Sequence, residues 1–181
     1  MKTISVSKEN ILKSMLFCVS GVCSCIILPQ FFHLLGYASG LGTSLGAAFL
    51  PMHLAVIFIG LFFGKGIGLV CGLVSPVVSY YLTGMPLLIK VPLMTVELAA
   101  YGYFAGVLSS KSVPTLLKVF IVQLAGRLAK TFAILLLMYV FNTNAGSPMG
   151  VWTSAISGLP GIVLQLTLLP LVLFKLGNKN V

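Results

Sequence analysis

The sequence predicts an all-α membrane protein with six transmembrane helices and both termini in the cytoplasm. Composition is the first reason, because 59% of the 181 residues are hydrophobic and only 7% are charged, whereas a soluble domain carries about a quarter charged residues. The second is the recurrence of uncharged apolar segments, since a helix needs roughly 20 residues to cross about 30 Å of hydrocarbon. The third is the uneven distribution of lysine between the two sets of loops.

Six predicted spans form a single membrane domain that covers residues 1–181. They run from about residue 10 to 35, 45 to 63, 67 to 82, 91 to 108, 114 to 141 and 151 to 176. The connections between them are rich in Gly, Pro, Ser and Asn, which interrupt helices. Pro114 suits the first turn of the fifth helix, where its missing amide hydrogen costs nothing.

Lysine marks the orientation of the predicted spans. One set of ends and loops holds eight lysines and the opposite set holds only Lys90. The eight are Lys2, Lys8, Lys13, Lys65, Lys111, Lys118, Lys175 and Lys179. By the positive-inside rule both termini are cytoplasmic, and the net charge of +9 reflects membrane topology rather than binding of nucleic acid.

Five polar residues fall inside the predicted spans at related positions. Arg127 and Lys130 lie in the middle of the fifth span and share one helical face with Gln123, at spacings of four and three residues. Counting about 1.5 Å per residue places Glu97 of the fourth span and His53 of the second near the level of Arg127, in the outer half of the bilayer. Charges at such depth are costly and usually face a bundle interior or a watery cavity.

Two interpretations of this polar layer stay open at the sequence level. Glu97 can simply neutralise Arg127, which leaves Lys130 without a partner, or the layer can face a ligand. His53 by itself is more often a hydrogen-bonded core histidine than a ligand-binding residue. Tyr101 can contact a flat ligand or anchor a helix at the membrane interface, and Gln165 can face the same cavity or bridge two helices.

The chain lacks the groups that most catalytic sites require. Its only acids are Glu9 and Glu97, so it cannot supply paired carboxylates, an HExxH zinc site or a Ser-His-Asp arrangement. The segment Gly64-Lys65-Gly66 resembles part of a phosphate-binding loop, but Ile59 replaces its first Gly and Gly66 replaces its hydroxyl residue. We therefore expect a protein that is not an enzyme and needs no cofactor or metal. Any energy from ATP must come from another subunit.

Seven short motifs follow one another along the chain from the second span onward. They are Pro51-Met52-His53, Gly60-x-x-x-Gly64, Gly68-x-x-x-Gly72-Leu73-x-x-Pro76, Leu82-x-Gly84-Met85-Pro86, Glu97-Leu98-x-x-Tyr101-Gly102, Gly126-Arg127-Leu128 and Gly158-x-Pro160-Gly161, followed by Gln165 and Pro170. Together they resemble the substrate-binding S component of energy-coupling factor (ECF) vitamin transporters. The resemblance implies a subunit of the prokaryotic plasma membrane that captures a vitamin or related micronutrient in the outer half of the bilayer, together with a transmembrane T component and two cytoplasmic ABC-type ATPases.

The first helix departs from this family in one respect. Where the family commonly has alanines spaced for packing against the T component, this chain has Ser14-x-x-x-Cys18 and Ser20-x-x-x-Ser24. These residues are also small, so they stay candidates for the partner interface.

The alternative to such a subunit is a solitary transporter or channel, although no inverted repeat typical of many secondary carriers is visible. The excess of basic residues in the polar layer favours a ligand with a carboxylate or phosphate. An amine that binds Glu97 remains open.

Overall fold

The structure is a computed structural model that describes residues 8–142 and 146–177. Within these ranges the regular elements are helices, and no β-strand occurs. The α-helices are α1 (Lys8–Ala38), α2 (Ser44–Phe49), α3 (Pro51–Phe63), α4 (Lys65–Thr83), α5 (Val91–Ser109), α6 (Thr115–Tyr139), α7 (Pro148–Ser157) and α8 (Leu159–Gly177). A single 3₁₀ turn at Leu88–Lys90 leads into α5, and the Met85–Pro86 bond is cis.

The described residues contain six segments that are long and apolar enough to cross a membrane. These segments are Leu12–Ala38, Ser44–Phe63, Lys65–Thr83, Leu88–Ser109, Thr115–Tyr139 and Leu159–Leu176. The predicted fold class of an all-α membrane protein with six transmembrane helices is confirmed, and the chain has the architecture of a multi-pass membrane protein. Because successive spans reverse direction, Lys65 and Lys111 lie at one end of the bundle and Lys90 lies at the other.

Two predicted spans are not continuous helices. The second breaks at Leu50, which has left-handed backbone angles of φ 49° and ψ 50° and separates α2 from α3. Leu50 precedes Pro51, and the proline ring disfavours right-handed helical angles in the residue before it. The predicted sixth span, from 151 to 176, is divided between two helices, because α7 ends at Ser157 and Pro160 lies in the first turn of α8.

The helices α3, α4 and α5 pack closely near the end that carries Lys65 and Lys111. A Cβ atom at Gly102 of α5 would collide with the backbone of Gly68 of α4, so only glycine allows the two helices to approach this closely. The core beside this contact is apolar and fully buried, with Ile57, Leu98 and Val119 among its members. The described residues of this half are thus closely packed, and a cavity lies in the opposite half.

Candidate functional site

A cavity of about 870 Å³ lies in the half of the bundle that carries Lys90. Its walls come from the C-terminal part of α1, from α2, from the N-terminal turns of α3 and α5, from the C-terminal half of α6 and from α7. Most of the lining is apolar and includes Met52, Met94 and Ile134. Ligand pockets commonly enclose about 300 to 1,000 Å³ and combine apolar walls with a few polar groups, so the cavity has the size and character of a small-molecule site.

Glu97 of α5 is the acidic group at the cavity wall. The ammonium group of Lys130 on α6 donates a hydrogen bond to Glu97 Oε2 at 2.7 Å. His53 of α3 places its Nε2 atom 3.8 Å from the same oxygen. Glu97 is only 2% exposed, and the charges of Glu97 and Lys130 compensate each other at a position where an isolated carboxylate would be very costly.

Arg127 lies one helical turn from Lys130 and also lines the cavity. It is only 6% exposed, yet no acceptor within residues 8–142 and 146–177 forms a hydrogen bond or ion pair with its guanidinium group. A buried positive charge is usually balanced by a counter-charge or by water. Among the described residues, Arg127 is therefore the buried positive charge of the cavity wall that has no acidic partner.

The pairing of Glu97 with Arg127, one of the two interpretations that the sequence leaves open, is not the pairing that the structure contains. Counting residues along the helices placed the Cα atoms of these two residues at similar depths in the bilayer. The charged group at the end of a long side chain can lie at a different depth from its Cα atom. The flexible lysine stem brings its ammonium group from one turn further along α6 down to Glu97. As a result it is Arg127, rather than Lys130, that has no acidic side chain as a partner among the described residues.

A chain of buried polar side chains connects Glu97 to the backbone of Leu50. The hydroxyl of Tyr101 lies 3.2 Å from Glu97 Oε1 and 3.3 Å from Gln123 Oε1. The Gln123 amide nitrogen donates to Gln165 Oε1, and the Gln165 amide nitrogen forms a long bond of 3.5 Å with the carbonyl oxygen of Leu50. The chain thereby links the charged pair to the break between α2 and α3.

The predicted site residues separate into two groups. His53, Glu97, Arg127 and Lys130 line the cavity. Tyr101, Gln123 and Gln165 do not belong to the cavity lining but lie buried behind it. Tyr101 contacts Glu97, and the three residues connect α5, α6 and α8 through their side chains.

Several polar residues of the cavity wall had no place in the predicted site, and three of them carry a charged, imidazole or amide side chain. Lys90 lies at the exposed rim, where a positive charge attracts anions, and it is recognisable in the sequence as the lone lysine of its set of loops. His33 and Gln30 reach the cavity from α1. Their spacing of three residues places them on one helical face, but nothing in the sequence shows that this face meets the cavity.

The predicted partner interface lies on α1. Ser20 and Ser24 are exposed, and their hydroxyls bond to carbonyl oxygens of their own helix. Ser14 is also exposed, whereas Cys18 is partly covered, and its carbonyl oxygen lies 3.7 Å from the Cys71 sulfur of α4. Ser20 and Ser24 are thus the pair that lies fully on the outer surface.

Metal binding finds no support in the described part of the chain, since no group of three His, Cys, Asp or Glu residues lies there in a position to hold an ion. Comparison with protein-family models, with curated proteins and with solved structures gives no match to this chain. The function of this protein is therefore inferred from the cavity and its residues.

Proposed function

We propose that this protein is the substrate-capturing membrane subunit of an ATP-driven importer for an anionic micronutrient, a vitamin or a vitamin precursor. The observation that carries the proposal is Arg127, a buried arginine on a cavity wall without an acid among the described residues. A planar guanidinium group binds a carboxylate or phosphate through two parallel hydrogen bonds. An anionic ligand would supply the counter-charge that Glu97 does not supply.

The neighbouring charges favour an anion over a cation. Glu97, the single acid of the cavity wall, already binds Lys130 at 2.7 Å and has His53 at 3.8 Å. An amine ligand would have to displace Lys130 from this carboxylate. Lys90 at the rim adds a further positive charge along the route into the cavity.

The shape of the bundle supports a capturing subunit over a channel. The cavity is confined to one half, and in the other half α4 and α5 approach so closely that a Cβ at Gly102 would collide with Gly68. By the positive-inside rule the cavity half is the outer one. A pocket in the outer half alone suits capture of a solute and requires a further step to release it on the other side.

The resemblance of the ordered motifs to ECF S components extends this proposal to partners. The chain lacks acids for ATP hydrolysis, so transport would require a T component and two ABC-type ATPases. The exposed α1 surface with Ser20 and Ser24 is a suitable place for a close helix contact. The prokaryotic plasma membrane is the location that this assembly implies.

Ligand extraction tests the central step. The purified protein is heated, and released small molecules are identified by mass spectrometry for wild type, Arg127→Gln and Lys118→Gln. Lys118 is the matched control, because it lies on the same helix but its ammonium group bonds the carbonyl of Ser109 at the opposite end of the bundle. We expect one anion from wild type and from Lys118→Gln, and a loss of roughly 10- to 100-fold in affinity for Arg127→Gln.

Two outcomes would contradict the proposal. Retention of the anion by Arg127→Gln would show that Arg127 does not bind it, and recovery of phospholipid alone would show that bilayer lipid fills the cavity.

The proposed partners are tested by affinity purification from native membranes, which should recover two ATPases and a T component. Uptake of the same anion by the isolated protein in ATP-free vesicles would instead identify a solitary transporter.

A further inference from the structure

Arg127 and Lys130 form a pair of basic groups on one face of α6. Both line the cavity, and side chains three residues apart on a helix are neighbours, with Cβ atoms about 5–6 Å from each other. Two adjacent cations suit an oxyanion with two charges, such as a phosphate monoester, because each cation neutralises one charge. If α6 were alone, it would therefore present a site for a dianion.

Glu97 changes the charge of this site from α5. Its Oε2 atom accepts the hydrogen bond from the Lys130 ammonium group at 2.7 Å, and the Lys130 side chain keeps 23% of its surface exposed. The charges of the two groups thus cancel at the cavity wall itself. Because Arg127 has no acidic partner among the described residues, one buried positive charge is left for a ligand.

Two further groups of the cavity wall leave this balance unchanged. Lys90 is exposed at the rim, where water solvates its charge and salt screens it. His53 places Nε2 3.8 Å from the same oxygen of Glu97 and adds a positive charge only when it is protonated. A free histidine side chain is mostly neutral at about pH 8. The ligand site then carries a single buried charge, on Arg127.

We propose that Glu97 sets the charge selectivity of the cavity: by neutralising Lys130, it makes the site select a monocarboxylate over a phosphate monoester or a dicarboxylate. A single carboxylate neutralises Arg127 through two parallel hydrogen bonds. A dianion would leave one negative charge without a partner in a largely apolar cavity, close to Glu97. This inference rests on the proposed function and narrows its anion to one with a single charge.

The test compares nonanoate with octyl phosphate, two anions whose alkyl chains have the same length. At about pH 8 nonanoate carries one negative charge and octyl phosphate nearly two, since the second pKa of a phosphate monoester is about 6. Calorimetry measures both affinities for purified wild type, Glu97→Gln, Arg127→Gln and the double variant Glu97→Gln with Lys130→Met. Protein-free micelles of the same detergent are the blank.

We expect wild type to bind nonanoate about tenfold more tightly than octyl phosphate. Glu97→Gln frees the ammonium group of Lys130 for the ligand, and the ratio of the two affinities should move toward octyl phosphate by about 10- to 100-fold. The double variant again has one positive charge, on Arg127, and should prefer nonanoate as wild type does. A merely structural role of Glu97 would not reverse the preference in one variant and restore it in the other.

The results separate this inference from the proposed function. A Glu97→Gln variant with the wild-type ratio, or wild type that prefers octyl phosphate, would overturn the charge selectivity while Arg127→Gln still loses both probes. Equal affinity of wild type and Arg127→Gln for both probes would overturn the proposed function instead.

The natural ligand gives a measurement that needs no variant. Mass spectrometry of the anion that heat releases from wild type shows how many acidic groups it carries. We expect one carboxyl group and no phosphate. Release of a phosphate monoester or a dicarboxylate would overturn the charge selectivity, although either compound agrees with an anion site at Arg127.

Discussion

Lys130 and Glu97 lie 33 residues apart in the chain, and their charged groups meet at 2.7 Å on the cavity wall. The pair joins α5 to α6 and neutralises the only acid of the cavity wall. Arg127 lies one turn away on α6, and Glu97 does not neutralise its charge. This distribution of three charges is the basis of the proposed anion site.

Removing one member of the pair should destabilise the protein more than removing both. Lys130→Met leaves the 2% exposed Glu97 with only His53 and the Tyr101 hydroxyl beside it. We expect the free energy of unfolding to fall by about 3 kcal/mol, near the lower end for a broken buried pair because Lys130 is partly exposed. Adding Glu97→Gln in the same chain should restore part of this loss. Denaturation in one detergent measures both, and a double variant less stable than Lys130→Met would contradict the pairing.

The Tyr101 hydroxyl should matter because it connects two buried acceptors. Tyr101→Phe keeps the ring but removes the hydroxyl that lies between Glu97 Oε1 and Gln123 Oε1. We therefore expect the free energy of unfolding to fall by about 1–3 kcal/mol. Tyr103→Phe is the control, since Tyr103 is 40% exposed on the same helix. Equal stability of the two variants would show that the buried polar chain contributes nothing.

The contact between α4 and α5 should tolerate no side chain. Gly102→Ala would place a methyl group against the backbone of Gly68, and we expect it to lower stability by about 1–3 kcal/mol through overpacking. Gly66→Ala is a control in α4, because nothing lies within 4 Å of a Cβ there. It should be neutral or raise stability by up to about 1 kcal/mol through helix propensity. A Gly102→Ala variant as stable as Gly66→Ala would contradict the packing.

Membrane orientation can be measured at single lysines. Lys90→Cys should react with an impermeant thiol reagent added outside intact cells, and Lys111→Cys should react only after the membrane is opened. Wild type serves as the background, since its four cysteines lie within the helices α1 and α4. Labelling of Lys111→Cys from outside would reverse the orientation and place the cavity in the inner half.

Hydropathy and depth counting predicted a large part of this architecture. Apolar segments of about 20 residues must be helical in a bilayer, where every backbone polar group needs an internal partner. Charged residues inside such segments are costly enough to mark a cavity, and His53, Glu97, Arg127 and Lys130 do line one. The break at Leu50 was missed, although Pro51 gave a signal for it, because the hydropathy of the segment is uninterrupted.

The sequence by itself determined the six spans, the loop asymmetry and the depth of the polar residues, since these follow from the pattern along each single helix. Only the tertiary structure decided that Lys130 and not Arg127 binds Glu97, and that His33 reaches the cavity. Those contacts depend on how helices rotate and tilt against one another and on how far side chains extend. The pattern within one helix gives the height of a residue along that helix and the face on which it lies. It does not show which residue of another helix the side chain contacts.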